Sequence, residues 1–265
     1  MSTRFTTYIV SLLTPEEVLA RPIGDYLSSN NVKSVSIFGV DGRLLSAADY
    51  FISAVEIDGI MTPGEVGCKL SHLHILKCIY NSSTLGLVFE DDVLPPGFAV
   101  FPVLDNLPTL SEDKSFILFL GGLDGTSSQY RMLGKPLQGS PLNIHKLHPL
   151  SSRWLLRTCC YLISPAAASA LLKVHSKSSY RVDDWARILE YTNIDIYYTP
   201  LFRHPLSLSA SQIEPERRKL FKSRLRYSRG PLLRVFVQVR SAFQLLYLLC
   251  LGYRPVLPGE GALGE

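Results

Sequence analysis

Leu85-Gly86-Leu87-Val88-Phe89-Glu90-Asp91-Asp92 is the stretch on which the fold turns. Its apolar half is too short for a helix and is soon followed by the turn Pro95-Pro96-Gly97, which makes it a short buried strand. Its acidic half sets three carboxylates at the strand's end. Like charges so close either suppress one another's ionisation or require a cation. In a strand-to-loop turn, residues i and i+2 project to one side, so Glu90 and Asp92 are expected to converge while Asp91 faces elsewhere. A solvated acidic turn is one reading. The other is a site for a hard divalent ion, Mn2+ or Mg2+, which would also hold substrate phosphates.

On the N-terminal side, residues 6–13 are β-rich and read as a first strand, followed by a helix from Pro15 to about Ser28. Residues 35–40 read as a second strand, closed by the turn pair Asp41-Gly42. Strand, helix, strand in that order argues for a parallel α/β sheet, whose ligand sites lie beyond the carboxyl ends of its strands. Thr62-Pro63-Gly64-Glu65 is a helix start, with Thr62 as N-cap, Pro63 at the first helical position and Glu65 completing a capping box. That helix should run to about Tyr80. On the C-terminal side, residues 116–120 and 158–163 read as strands, 165–174 as a helix and 194–198 as a last strand. Residues 124–149, rich in Gly, Ser, Pro and His, read as a long surface loop of the kind that covers substrates.

The chain has 265 residues, 46% hydrophobic and 19% charged, which suits one large domain or a domain with an appendage. Cys68, Cys78, Cys159, Cys160 and Cys250 form no CxxC pair, and their odd number makes a poor disulfide framework. Free, core-packed thiols in a reducing compartment are expected. Residues 1–7 lack the apolar core of a signal peptide, which points to the cytoplasm. The net charge of +4 divides unevenly: residues 214–265 hold ten Lys/Arg against four Asp/Glu, or +6, leaving −2 on the first 213. A near-neutral body with a basic, apolar tail argues against nucleic acid and for an anionic membrane surface.

Several segments taken in order resemble glycosyltransferase family 25, which holds bacterial lipooligosaccharide galactosyltransferases and the collagen galactosyltransferases. They are residues 64–72, Gly-Glu-Val-Gly-Cys-Lys-Leu-Ser-His, and residues 87–93, Leu-Val-Phe-Glu-Asp-Asp-Val. Residues 8–12 with Arg21, Val40-Asp41-Gly42, residues 158–164 and Val182-Asp183-Asp184 resemble further motifs, so that the match spans about residues 5–213. Arg157 stands where the family pattern has glycine. The resemblance implies a GT-A-like nucleotide-sugar-binding fold with a mostly parallel central sheet, a UDP-sugar donor and inversion at the anomeric carbon. It further implies that Asp92 holds the metal at the donor diphosphate and that Glu90 faces the ribose or the metal's water shell. Ser11, Arg21, Asp41, His72 and Asp91 become donor-site residues, and His204 a late metal ligand. Inversion also needs a base for the acceptor hydroxyl; Asp183 is the first candidate and Asp184 the second.

Each of these residues has a plainer reading. Asp183-Asp184 can cap a helix, His72 can be a satisfied helix histidine, Lys69 a solvated lysine with phosphate as its other use, and the cysteines simple core.

Residues 214–229 are strongly basic, and residues 232–252 follow as an apolar stretch. At 100° per residue, its polar positions Arg234, Gln238, Arg240, Ser241 and Gln244 fall within an arc of about 160°, with Val235, Val239, Phe243, Leu246 and Cys250 broadly opposite. Two arginines near the middle of a span would cost several kcal/mol, so an interfacial helix is expected over residues 232–252, with contact to an anionic membrane surface through residues 214–252; the alternative is a helix packed on the body. The expected organisation is a GT-A-like catalytic domain over 1–213 and a basic, membrane-associating tail over 214–265. The expected function is transfer of a hexose, galactose first, from a UDP-sugar to lipooligosaccharide at the inner face of a bacterial inner membrane. The competing readings are a Mg2+-dependent phosphohydrolase using the same triplet and a non-enzymatic membrane- or nucleic-acid-binding module.

Overall fold

The computed structural model describes residues 4–256, apart from 33, 57–58, 108–109, 111–112, 141, 207–212, 214, 218 and 220–230. The chain begins with β1 (Phe5–Val10), α1 (Pro15–Leu19), α2 (Pro22–Ser29) and β2 (Val35–Phe38). The single helix expected over 15–28 is thus two. Pro22 has no amide to donate and forces the residue before it out of the helical region, and Arg21 is extended at φ −83°, ψ 157°. Next come α3 (Ala47–Ala54), a small hairpin of β3 (Val55–Glu56) and β4 (Gly59–Ile60), and α4 (Pro63–Ser82). Helix α4 starts as its sequence dictates: Thr62 accepts from the Glu65 amide while Glu65 accepts from the Thr62 amide. It leads into β5 (Leu85–Glu90), α5 (Phe101–Asp105) and β6 (Phe116–Gly121). The remainder is β7 (Leu133–Pro136), β8 (His145–Leu147), β9 (Cys160–Ile163), α6 (Pro165–Lys177), α7 (Trp185–Glu190), β10 (Asp195–Phe202), α8 (Pro231–Cys250) and β11 (Arg254–Pro255).

One nine-stranded sheet runs in the order β11-β7-β8-β10-β6-β9-β5-β1-β2. Strands β2, β1 and β5 are parallel neighbours, and so are β6 and β10. Strand β9 lies antiparallel between β5 and β6, so β6 and β10 still run the same way as β5. The fold is therefore α/β with a central sheet most of whose strands share one direction. Strict alternation sends Val88, Ile117, Phe119, Tyr161 and Ile163 to one face, against α4, α6 and α7. It sends Leu87, Phe89, Phe116, Leu118 and Leu162 to the other, against α2 and α5.

The region 124–149 is not the open loop its composition suggests. Strands β7 and β8 pair antiparallel within it and extend the sheet beyond β10. Leu133, Ile144 and Leu147 are buried there. Each strand is too short to show period-two alternation, and Gly134 passes so close under His145 that an added Cβ would lie 2.7 Å from the His145 Cβ.

Two glycines bring the end of β2 against the start of α4. A Cβ on Gly42 would meet the Pro63 carbonyl at 1.9 Å, and one on Gly67 would meet the Val40 carbonyl at 2.3 Å. Ser71 completes the seam, accepting from the Val40 amide at 2.8 Å and donating to the Gly67 carbonyl at 2.7 Å. Gly67→Ala should therefore force two backbones apart, at a cost of about 1–3 kcal/mol. Chemical denaturation reads this directly, and a wild-type midpoint would refute the seam as described.

Candidate functional site

A cleft of about 330 Å³ opens at the carboxyl ends of β1, β2 and β5, where an α/β sheet places its ligands. Glu90 ends β5, and its amide donates to the Cys159 carbonyl at 2.7 Å. Its Oε1 accepts from the Thr158 hydroxyl at 2.6 Å, with His72 Nε2 standing 3.6 Å away. Burial opposes charge on Glu90, but the His72 ring, the Thr158 hydroxyl and His204 outweigh it and hold the carboxyl below its usual range.

Asp91 turns away from Glu90 and accepts from the Ser11 hydroxyl, which ties the ends of β1 and β5 together. Ser11 is buried, and its oxygen also accepts from the Leu13 amide at 3.0 Å. Just beyond the triplet, Leu94 and Arg203 exchange both backbone hydrogen bonds at 2.9 Å. That bridge lays the segment after β10 beside the acidic turn and sets His204 Nε2 3.5 Å from Asp92 Oδ2. His204 Nδ1 donates to the Pro205 carbonyl at 2.8 Å. Because a carbonyl can only accept, Nδ1 carries a proton, and Nε2 is the ring atom that faces Asp92. The His204 amide is held in turn by Asp124 at 2.9 Å.

Burial pushes the Asp92 carboxyl up, Glu90 adds to the rise, and His204 offsets part of it. Asp92 Oδ1 is buried without a hydrogen-bond partner among the described residues. Glu90, Asp92 and His204 each offer a ligand atom within 4.8 Å of the others. The 3.5 Å between His204 and Asp92 is too long for a hydrogen bond and leaves room for a shared ion between the two groups. Two carboxylates and an imidazole, one oxygen orphaned, fit Mn2+ or Mg2+.

The cleft's other wall is an ion-pair network. Glu65 meets Arg217 at 2.8 Å and Arg181 at 3.9 Å. Asp183 meets Arg217 at 3.8 Å and Arg181 at 3.9 Å. Burial raises the Asp183 pKa, the two arginines offset part of that, and Glu65 and Glu90 push it further up. Asp184 occupies the N-cap position of α7 without a side-chain capping bond and pairs with Arg187 at 3.4 Å. It is absent from the cleft wall, whereas Asp183 lines it. Arg21 and Asp41 also line the cleft, and Asp41 accepts from the Arg43 amide at 3.0 Å.

Other residues take roles that the sequence did not announce. Lys69 is buried, not solvated, donating to the Ser53 carbonyl at 3.0 Å and the Ser179 hydroxyl at 2.6 Å. Arg157, at the family's glycine position, lines the cleft and staples the loop after β6 by donating to the Gly122 and Asp124 carbonyls at 2.9 and 3.0 Å. Arg217 reads in sequence as one of many tail cations, and nothing in its spacing marks it for the cleft. The five cysteines are free.

No protein-family model matches the chain, and no curated protein does. Among solved structures the chain is similar to a glycosyltransferase involved in glycosylation of the major capsid of the virus PBCV-1. Identity there is 10%, with 81% of this chain and 98% of that one covered, at a TM-score of 0.36. It is also similar to a putative glucose-1-phosphate thymidylyltransferase from Bacillus anthracis, at 9% identity, 82% and 94% coverage and a TM-score of 0.39. A third is a protein described as mannose-1-phosphate geranyltransferase from Thermus thermophilus, at 10% identity, 75% coverage of each chain and a TM-score of 0.36. Likeness at this level bears on neither family nor activity, which rest on the site itself.

If Glu90, Asp92 and His204 hold one ion, Asp92→Asn is expected to weaken Mn2+ binding by at least about tenfold, read by calorimetry or by loss of the free-ion EPR signal. Unchanged affinity in a folded variant would remove Asp92 from the ligand set.

Proposed function

We propose that the protein is an inverting glycosyltransferase of GT-A-like design. It moves a hexosyl group, galactose first among the hexoses, from a UDP-sugar to a lipooligosaccharide acceptor at the cytoplasmic face of an anionic bacterial membrane. The catalytic domain is assigned to residues 1–213 and the membrane-associating part to 214–265, from which Arg217 returns to the cleft and β11 to the sheet. One observation carries the reading: the cleft that holds the Glu90–Asp92–His204 ligand set also holds a separate, arginine-flanked carboxylate, Asp183. The resemblance of the motifs around these residues to family 25 supports the choice of donor and acceptor.

When bound, Mn2+ or Mg2+ would supply Lewis-acid stabilisation of the leaving nucleoside diphosphate. Glu90, Asp92 and His204 would hold it. Arg21, Arg157 and Arg217, which line the same cleft, add positive charge for the phosphates. Asp183 takes the proton of the acceptor hydroxyl as the hydroxyl oxygen attacks the anomeric carbon. Burial raises the pKa of that carboxylate, and Arg181 and Arg217 offset part of the rise.

The decisive assay offers a panel of UDP-sugars with Mn2+ to detergent-solubilised lipooligosaccharide. Failure of every UDP-sugar to be hydrolysed or transferred would sink the reading, and phosphate release without an acceptor and without uridine preference would favour the phosphohydrolase. Asp183→Asn should lower kcat by about 10²–10⁴-fold. The base works only when ionised, so kcat/KM should fall as pH falls through the raised Asp183 pKa. Arg217 pulls that pKa down, so Arg217→Met should move the acid limb to higher pH. A limb that stays in place would argue that another group titrates.

Membrane association is supported by helix α8. Gln244 accepts from Arg153 on the body and Leu248 is buried, so this side faces inward. Phe243 at 68% exposure, Leu246 at 59% and Val239 at 47% turn an apolar face outward. No helix among the described residues is long and apolar enough to cross a membrane. Phe243→Glu with Leu246→Glu should therefore abolish co-sedimentation with phosphatidylglycerol vesicles while leaving hydrolysis of UDP-sugar intact. Undiminished vesicle binding would move the contact elsewhere.

A further inference from the structure

Glu90 belongs to a second group of ligand-type side chains on the side of the triplet away from His204. Cys68 and His72 lie four residues apart on α4 and so share one helix face. Cys68, His72 and Glu90 each offer a ligand atom within 4.8 Å of the others. His72 is fully buried at 0% exposure, and its Nε2 has no hydrogen-bond partner among the described residues. A buried ring nitrogen without a hydrogen-bond partner is costly unless something accepts its lone pair or its proton.

Three further observations fit an ion between these groups. The 3.6 Å from His72 Nε2 to Glu90 Oε1 is too long for a hydrogen bond, but it is the ligand-to-ligand distance around a tetrahedral ion with bonds of about 2.0–2.3 Å. Two of the three ligands, His72 and Glu90, also have an outer partner that orients them. His72 Nδ1 is bonded to the Tyr161 hydroxyl at 2.8 Å, which lets Nδ1 carry the proton and Nε2 the lone pair, and Thr158 holds Glu90 at 2.6 Å. Cys68 and Glu90 line the cleft, so an ion can reach the site from solvent and keep a water or substrate atom as its fourth ligand.

We propose that Cys68, His72 and Glu90 form a second cation site, suited to a borderline ion of the Zn2+ and Co2+ class, distinct from the hard-ion site but sharing Glu90 with it. A sulfur, a nitrogen and a single oxygen select such an ion over Mg2+ or Mn2+, which prefer oxygen shells. Binding releases the thiol proton of Cys68 to solvent as the Sγ–metal bond forms. Because Glu90 is common to both groups, occupation by Zn2+ withdraws that carboxylate from the Glu90–Asp92–His204 set. Zn2+ therefore acts as an inhibitor of any reaction supported there by Mn2+. The site itself does not depend on which reaction that is.

The test titrates Co2+ into the reduced, full-length protein without donor or acceptor and follows the near-ultraviolet absorption that a thiolate–Co2+ bond produces. The band should appear in wild type and in Asp92→Asn, saturate at equimolar Co2+, and vanish in the isosteric Cys68→Ser. In His72→Gln the affinity should fall by at least about tenfold. Thermal melts of the metal-free variants establish that each is folded, and Cys68→Ala serves if the serine variant is not. Absence of the band in wild type, or its survival in Cys68→Ser, overturns the proposal. Loss of the band in Asp92→Asn overturns the separateness of the two sites. None of these outcomes depends on whether the protein transfers a sugar.

Discussion

A strand buried on both faces cannot end in bare carboxylates, and much of this molecule is arranged around that constraint. Strand β5 delivers Glu90, Asp91 and Asp92 in succession, and each is met by a different part of the fold. Glu90 is met by Thr158, just before β9, and by His72 from α4. Asp91 is met from the end of β1 by Ser11. Asp92 is met from the end of β10 by His204, and one of its oxygens is left over. The antiparallel insertion of β9 beside β5 has a direct consequence here, because it brings the start of β9, with Thr158 just before it, to the carboxyl end of its neighbour.

The opposite wall solves a related problem by other means. Glu65 and Asp183 are carboxylates in a largely buried setting, and two arginines are threaded between them. Glu65 serves twice, since the carboxylate that closes the capping box of α4 also receives Arg217. The start of the helix that carries Cys68 and His72 is thereby linked to residues late in the chain. Breaking one partner of such a set costs more than the set contributes, because a charge is left without compensation in a poor solvent for it.

The sequence makes legible those features that depend on neighbours along the chain. The β5 strand, the capped start of α4 and the opposite facing of Asp91 all follow from short-range rules of period, turn chemistry and capping. The direction of most strands follows from the alternation of strand and helix. What stays hidden depends on contacts between distant segments. His204 reaches Asp92 only because Leu94 and Arg203 pair across more than a hundred residues, and neither residue carries a pattern that announces it. Strands β7 and β8 are too short for period-two alternation to register. Arg217 is indistinguishable by composition from the cations around it. Cys68 and His72 stand at helical i, i+4 spacing in plain view, but that spacing acquires a meaning only when a strand brings Glu90 opposite them.

The last described segment ends the sheet in a way that bears on how the protein behaves in a crowd. Strand β11 pairs with β7 through Arg254 and Pro255, and the Val256 amide donates to Met132 at 3.0 Å while its side chain joins the core. The outermost strand is thus two exposed residues long, one of them a proline with no amide to offer and the other an arginine. A stray β-strand approaching this border would find little backbone to template on and a charge in its way. Beside a helix α8 that displays an apolar surface, a short, charged border of this kind limits how readily that edge of the sheet could be extended by a second copy.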